Sequence, residues 1–162
     1  MTQVLRDAVL ARTGVTYAGD GALGRAVAAR AAELGAADGV DVLVYDPGSK
    51  PMLEALDAAW DAIRPVSASM IEAGGGRIVL IAPPPGGADA EAVRAGLENL
   101  ARTLSVEWAR FQIRPVAILP GSAANPAEVA ELACYLASPA GEYYSGCAFR
   151  LSGPSSSPSS PS

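Results

Sequence analysis

An α/β fold on an open parallel sheet is the class this sequence predicts, and three observations predict it. Apolar runs rich in β-branched residues recur along the chain, and turn residues close each one. Between them lie segments with apolar residues at helical spacing. The two kinds of segment alternate, as in a sheet whose parallel strands are joined by helical crossovers.

The strands come first. Val40-Asp41-Val42-Leu43-Val44-Tyr45 stops at Asp46-Pro47-Gly48, and Arg77-Ile78-Val79-Leu80-Ile81-Ala82 lies between Gly74-Gly75-Gly76 and Pro83-Pro84-Pro85. Continuous apolar runs of this kind suit strands covered on both faces. Two further strands are read at Arg114 to Leu119, closed by Pro120-Gly121, and at Cys147 to Leu151, closed by Ser152-Gly153. The first strand lies at Ala8 to Arg12 or at Gly14 to Ala18. About five strands result.

The helices follow from spacing and end signals. Ala22 to Leu34 is alanine-rich and meets Gly35, a C-cap residue. Pro51 to Ala73 carries Leu53, Leu56, Trp60 and Ile63 along one stripe, with Pro65 expected to kink or interrupt it. Asp89 to Phe111 carries Val93, Leu97, Leu100, Leu104 and Trp108. Asn125-Pro126 opens a last helix from Ala127 to Ala137. Residues 1–153 form one domain, and the Pro/Ser run of 154–162 cannot build a core and reads as a flexible tail.

Composition narrows the function classes. The 162 residues carry a formal charge of −5 without a Lys/Arg cluster, which argues against nucleic acid as a partner. Charged residues or glycine interrupt every apolar run, so no membrane span is expected, and a cytoplasmic location is the default. Histidine is absent, which removes the commonest metal ligand and general base. Cys134 and Cys147 both sit in apolar segments and read as small buried hydrophobes, so no metal site is expected.

Two candidate sites stand out. Gly19-Asp20-Gly21-Ala22-Leu23-Gly24 spells G-x-G-x-x-G ahead of a helix, the form that seats a pyrophosphate on a helix N-terminus. In a chain with 17 glycines the pattern is weak, and Asp20 would repel a phosphate. A tight turn that links strand to helix is the plainer reading. Tyr45 and Asp46, at the carboxyl end of a central strand, are candidates for a small ligand site with Arg94; the plainer reading is a strand-end turn.

Five segments in order resemble the short-chain dehydrogenase/reductase family, in particular its 3-oxoacyl-carrier-protein reductases. They are Val40 to Gly48, Gly76 to Val79, Arg94 to Leu100 with Leu104 and Glu107, Ile113 to Gly121, and Glu128 to Gly153. The resemblance implies a shortened Rossmann-like sheet and, in active members, NAD(P) and an Asn-Ser-Tyr-Lys catalytic set. Aligned on these segments, the four catalytic positions hold Ser67, Pro83, Ala90 and Arg94. Alanine and proline donate no proton, and an arginine does not readily exchange one.

The resemblance also implies losses between elements. After Leu34-Gly35 the chain passes almost directly to Val40, where the family has two strands, a helix and the residue that reads the adenine ribose. With that segment gone, the first strand is expected to become the sheet edge. These departures imply a catalytically degenerate protein, a pseudoenzyme with no cofactor. It would self-associate, or pair with an active reductase, through helices 51–73 and 88–111 and the C-terminal strand. The alternatives are an NAD(P)-dependent ketoreductase with relocated acid–base groups and a cofactor-independent enzyme or small-ligand binder.

Overall fold

The computed structural model describes residues 5–152. The chain runs β1 (Gly14–Gly19), α1 (Ala22–Glu33), β2 (Ala37–Asp38), β3 (Val42–Asp46), α2 (Met52–Ala73), β4 (Gly76–Ile81), α3 (Ala88–Glu107), β5 (Ile113–Pro120), α4 (Pro126–Ala137) and β6 (Ala148–Leu151). The strands form one sheet in the order β2-β1-β3-β4-β5-β6, and every pairing is parallel. This is a Rossmann-like α/β sheet, with six strands where about five were expected. The Pro/Ser segment 154–162, and Gly153 before it, lie outside the described residues.

The alternating pleat of each strand sends side chains to two cores. Val42 and Val44 of β3, Val79 and Ile81 of β4, and Val116 and Ile118 of β5 pack beneath α1 and α4. Leu43, Tyr45, Ile78, Leu80, Ala117 and Leu119 point the other way, beneath α2 and α3. Burial on both faces explains why the central strands read as unbroken apolar runs. Each fully buried Leu or Ile here stabilises the fold by roughly 1.5–3 kcal/mol relative to an exposed one.

Prolines sit where the sheet tolerates them. Pro115 lies inside β5, a central strand, yet β6 begins to pair only at Ala117. The Pro115 carbonyl accepts the Gly146 N–H at 2.7 Å, so its missing donor faces the same side, where no ladder carbonyl waits. Pro65 does not interrupt α2, which is assigned helix throughout Met52–Ala73, and its ring stands on the exposed face.

Two expectations need correction, and one open choice is decided. The missed strand is β2, whose two residues Ala37 and Asp38 pair with Gly14 and Val15. It is too short and too exposed to show a pattern, but it lies outside β1, so β1 is not the outermost strand. Of the two placements for the first strand, the structure has the one near Gly14 to Ala18; Ala8 to Arg12 is a run of turns. Cys134 is buried, but Cys147 is exposed just before β6 begins, although its carbonyl accepts the Ala117 N–H at 3.0 Å.

Candidate functional site

Strand order reverses between β1 and β3, because the chain steps outward from β1 to β2 and then crosses to β3 on the other side. Open α/β sheets bind ligands at the carboxyl ends of strands at such a switch point. A cleft of about 690 Å³ lies there, and its lining includes Asp20, Gly21, Asp46, Lys50, Pro83 and Ala90.

The glycine turn is shaped by Asp46. A Cβ on Gly19 would overlap the Asp46 backbone carbonyl, and one on Gly21 would overlap its carboxylate. One on Gly24 would stand 3.0 Å from the Asp46 Cβ. The carboxylate accepts the Gly24 N–H at 2.7 Å and the Gly48 N–H at 2.9 Å. It is 3% exposed. All three glycines therefore have a reason inside the protein: they let the turn close on the end of β3. The carboxylate also places a negative charge on the first turn of α1, where unsatisfied N–H groups and the helix dipole attract anions.

The other candidates are committed to neighbours. Tyr45 is 1% exposed and its hydroxyl donates to the Ala55 carbonyl at 2.6 Å. Burial first, and then the charges of Asp46 and Asp20, push its pKa up to about 12. Arg94 Nη1 donates to the carbonyls of Pro83 and Pro120, each at 2.7 Å. The guanidinium thus ties the end of β4 to the end of β5. Asp46 lines the cleft, whereas Tyr45 and Arg94 are not in its lining.

Of the four residues that the resemblance aligns with the family's catalytic set, Pro83 and Ala90 border the cleft and Arg94 bonds to the Pro83 carbonyl. Ser67 is the sixteenth residue of α2, whose start adjoins the carboxyl end of β3 and whose end leads into the amino end of β4. At 1.5 Å per residue it stands roughly 22 Å along the helix from its start. Its hydroxyl donates to the Arg64 carbonyl at 2.9 Å.

The pair that sequence reasoning missed is Lys50 and Asp20, 2.7 Å apart across the cleft mouth. The Lys50 ammonium holds the Asp20 carboxyl below its ordinary range. The glycine turn and the Asp46-Pro47-Gly48 turn bring these residues together, and no linear signal links positions 20 and 50. Arg25 also donates to the Asp20 backbone carbonyl. Asp20 therefore faces cations of this chain. Among the described residues, no group of three or more His, Cys, Asp or Glu is placed to hold a metal, and no helix is long and apolar enough to cross a membrane.

No family model matches the chain, and no curated protein matches it in sequence. Solved structures do match in shape. A short chain dehydrogenase from Mycobacterium smegmatis superposes with a TM-score of 0.70 at 18% identity, over 94% of this chain and 97% of that one. The 2-keto-3-deoxy-D-gluconate dehydrogenase from Streptococcus agalactiae gives 0.68 at 17% identity, over 85% and 91%. The fold is that of the short-chain dehydrogenases.

Proposed function

We propose that this chain is a catalytically silent protein on the short-chain dehydrogenase scaffold, which acts by association rather than by turnover. One observation carries the reading: the cleft at the switch point is bordered by Pro83 and Ala90, at the positions assigned to the serine and tyrosine of active members. A pyrrolidine ring and a methyl group neither orient a carbonyl nor deliver a proton. Two other groups near the cleft are engaged, Tyr45 with Ala55 and Arg94 with two carbonyls.

A nicotinamide dinucleotide does not fit the residues present. Its pyrophosphate would meet the first turn of α1 where the Asp46 carboxylate already accepts an N–H. Its adenosine would lie beyond β1, where a Rossmann sheet reads the ribose with an acidic side chain at the end of the next strand. Here that strand is β2. It ends at Asp38, level with Val15, four residues below the end of β1. At about 3.3 Å per residue, Asp38 stops roughly 13 Å short. We assign no step to such a cofactor.

The association surface we propose is the outer side of α2 and α3, with the C-terminal strand as a further contact. Leu53 is 68% exposed and Val106 77% exposed, and Trp60 stacks on Trp108 with ring centroids 6.3 Å apart. Large apolar groups left outside a core favour a protein contact. The partner is a second copy or an active reductase of this fold. Sedimentation of the purified chain, alone and mixed with such a reductase, should give a mass above the monomer, lost in a Leu53→Glu/Val106→Glu double variant. Calorimetry with reduced nicotinamides should give no saturable heat. A monomer in both mixtures, or ketone reduction by the isolated chain, would remove the proposal.

A second reading, a small-ligand site without a cofactor, rests on the Lys50–Asp20 pair at the cleft mouth. Saturable binding of a small ligand at the cleft, weakened by Lys50→Ala, would favour it.

A further inference from the structure

A separate cleft of about 630 Å³ opens at the other edge of the sheet, by the amino ends of β4 and β5. Arg77 and Arg114, the second residues of those strands, are register partners, so their side chains leave the sheet on the same face. Both line the cleft, together with Arg12. Two carboxylates, Asp41 and Glu142, also line it, and Asp41 Oδ2 already accepts the Gly14 N–H at 2.7 Å. Three cations therefore face two anions, on a chain whose net charge is −5.

The two guanidinium groups are under-used. The Arg77 side chain is 12% exposed, and its ion pair with Glu142 spans 3.3 Å, long for a charge-assisted bond. Its Nε is buried and meets no acceptor among the described residues. Burial above all lowers its pKa; the neighbouring Arg114 charge acts in the same direction, against Glu142 and Asp41. Arg114 bonds to the Gln112 carbonyl at 3.3 Å and to the Gln112 Oε1 at 2.8 Å, and among the described residues to no carboxylate. A buried guanidinium with one long ion pair and an unpartnered Nε, beside a second cation, leaves donors and positive charge free for a further anion.

We infer that this cleft binds a small phosphate monoester, held between the guanidinium groups of Arg77 and Arg114. A dianion with three free oxygens matches two forks of N–H donors on adjacent strands, which a monoanionic carboxylate matches less well. The volume falls in the range of small-molecule sites and leaves room for the organic part beyond the phosphate. Gly74, on the lining, has no atom within 4 Å of where a Cβ would stand, so the wall there is open. The site lies on the opposite edge from Pro83 and Ala90 and does not depend on the function proposed above.

Calorimetry on the full chain tests this, with glycerol phosphate, inorganic phosphate and acetate in a chloride buffer. We expect saturable binding of glycerol phosphate, tighter than of either other anion. Arg114→Gln should weaken it at least tenfold. Glu142→Gln, which removes the competing carboxylate, should tighten it severalfold. The Glu142 variant keeps the test decisive if the Arg114 variant folds poorly. Absent saturation, equal affinity for all three anions, tighter binding of acetate, or affinity unchanged in both variants would overturn the assignment.

Discussion

Asp46 shows how one side chain can take over a motif. Three glycines spaced as in a nucleotide-binding turn each press on that residue or its backbone, and its two carboxylate oxygens hold Gly24 and Gly48. A charge-assisted hydrogen bond contributes about 1.5–3 kcal/mol. Asp46→Asn leaves one carbonyl oxygen for two N–H donors and turns an amide NH₂ toward the other. The variant should therefore lose roughly that amount, read as a lower urea midpoint at unchanged slope. A midpoint equal to wild type would mean that the turn is held by packing alone. The motif at positions 19–24 was legible in the sequence. Its occupant was not, because a carboxylate 22 residues beyond Gly24 enters the turn only once β3 lies beside β1.

At the scale of elements, helix ends and strand ends were legible to different degrees. Asn125-Pro126 marked the start of α4, and the Asn125 side chain does accept the Ala127 N–H at 2.9 Å. The other three helices have no side-chain bond at their N-caps. Asn125→Ala should destabilise the protein by about 1 kcal/mol, the usual worth of an N-cap. Chemical unfolding would show this, and no change would mean that Pro126 alone sets the helix start. β2 escaped notice because a strand of two exposed residues has no period to read. Cys147 was misjudged for a related reason: beside a short strand at the sheet edge, an apolar neighbourhood in sequence does not say whether a side chain is covered.

For the molecule as a whole, tyrosines with a raised pKa contribute to a loss of stability in alkali. Burial pushes Tyr45 from its ordinary 10.0 up to about 12, with the charges of Asp46 and Asp20 adding to it. Tyr17 moves to about 12 in the same direction, but it is 38% exposed, so solvent screening makes its share smaller. In each case the folded state keeps the proton longer than the unfolded chain. The stability this provides is complete below pH 10 and is lost as pH rises from 10 to 12. Urea midpoints measured from pH 9 to 12 should fall, and Tyr45→Phe should fall less steeply than wild type. Parallel curves for the two proteins would show that Tyr45 titrates normally.

The order of strands and helices, the two-faced burial of the sheet and the absence of proton donors at positions 83 and 90 are all properties of the linear chain. Periodicity and residue chemistry are local, and alignment to a known pattern needs only order. Contacts between distant positions required the folded sheet: Asp46 in the glycine turn, Lys50 against Asp20, Arg94 across two strand ends, and Arg77 beside Arg114. Each joins residues through strand register and loop closure, and none of the four is written in any stretch short enough to read.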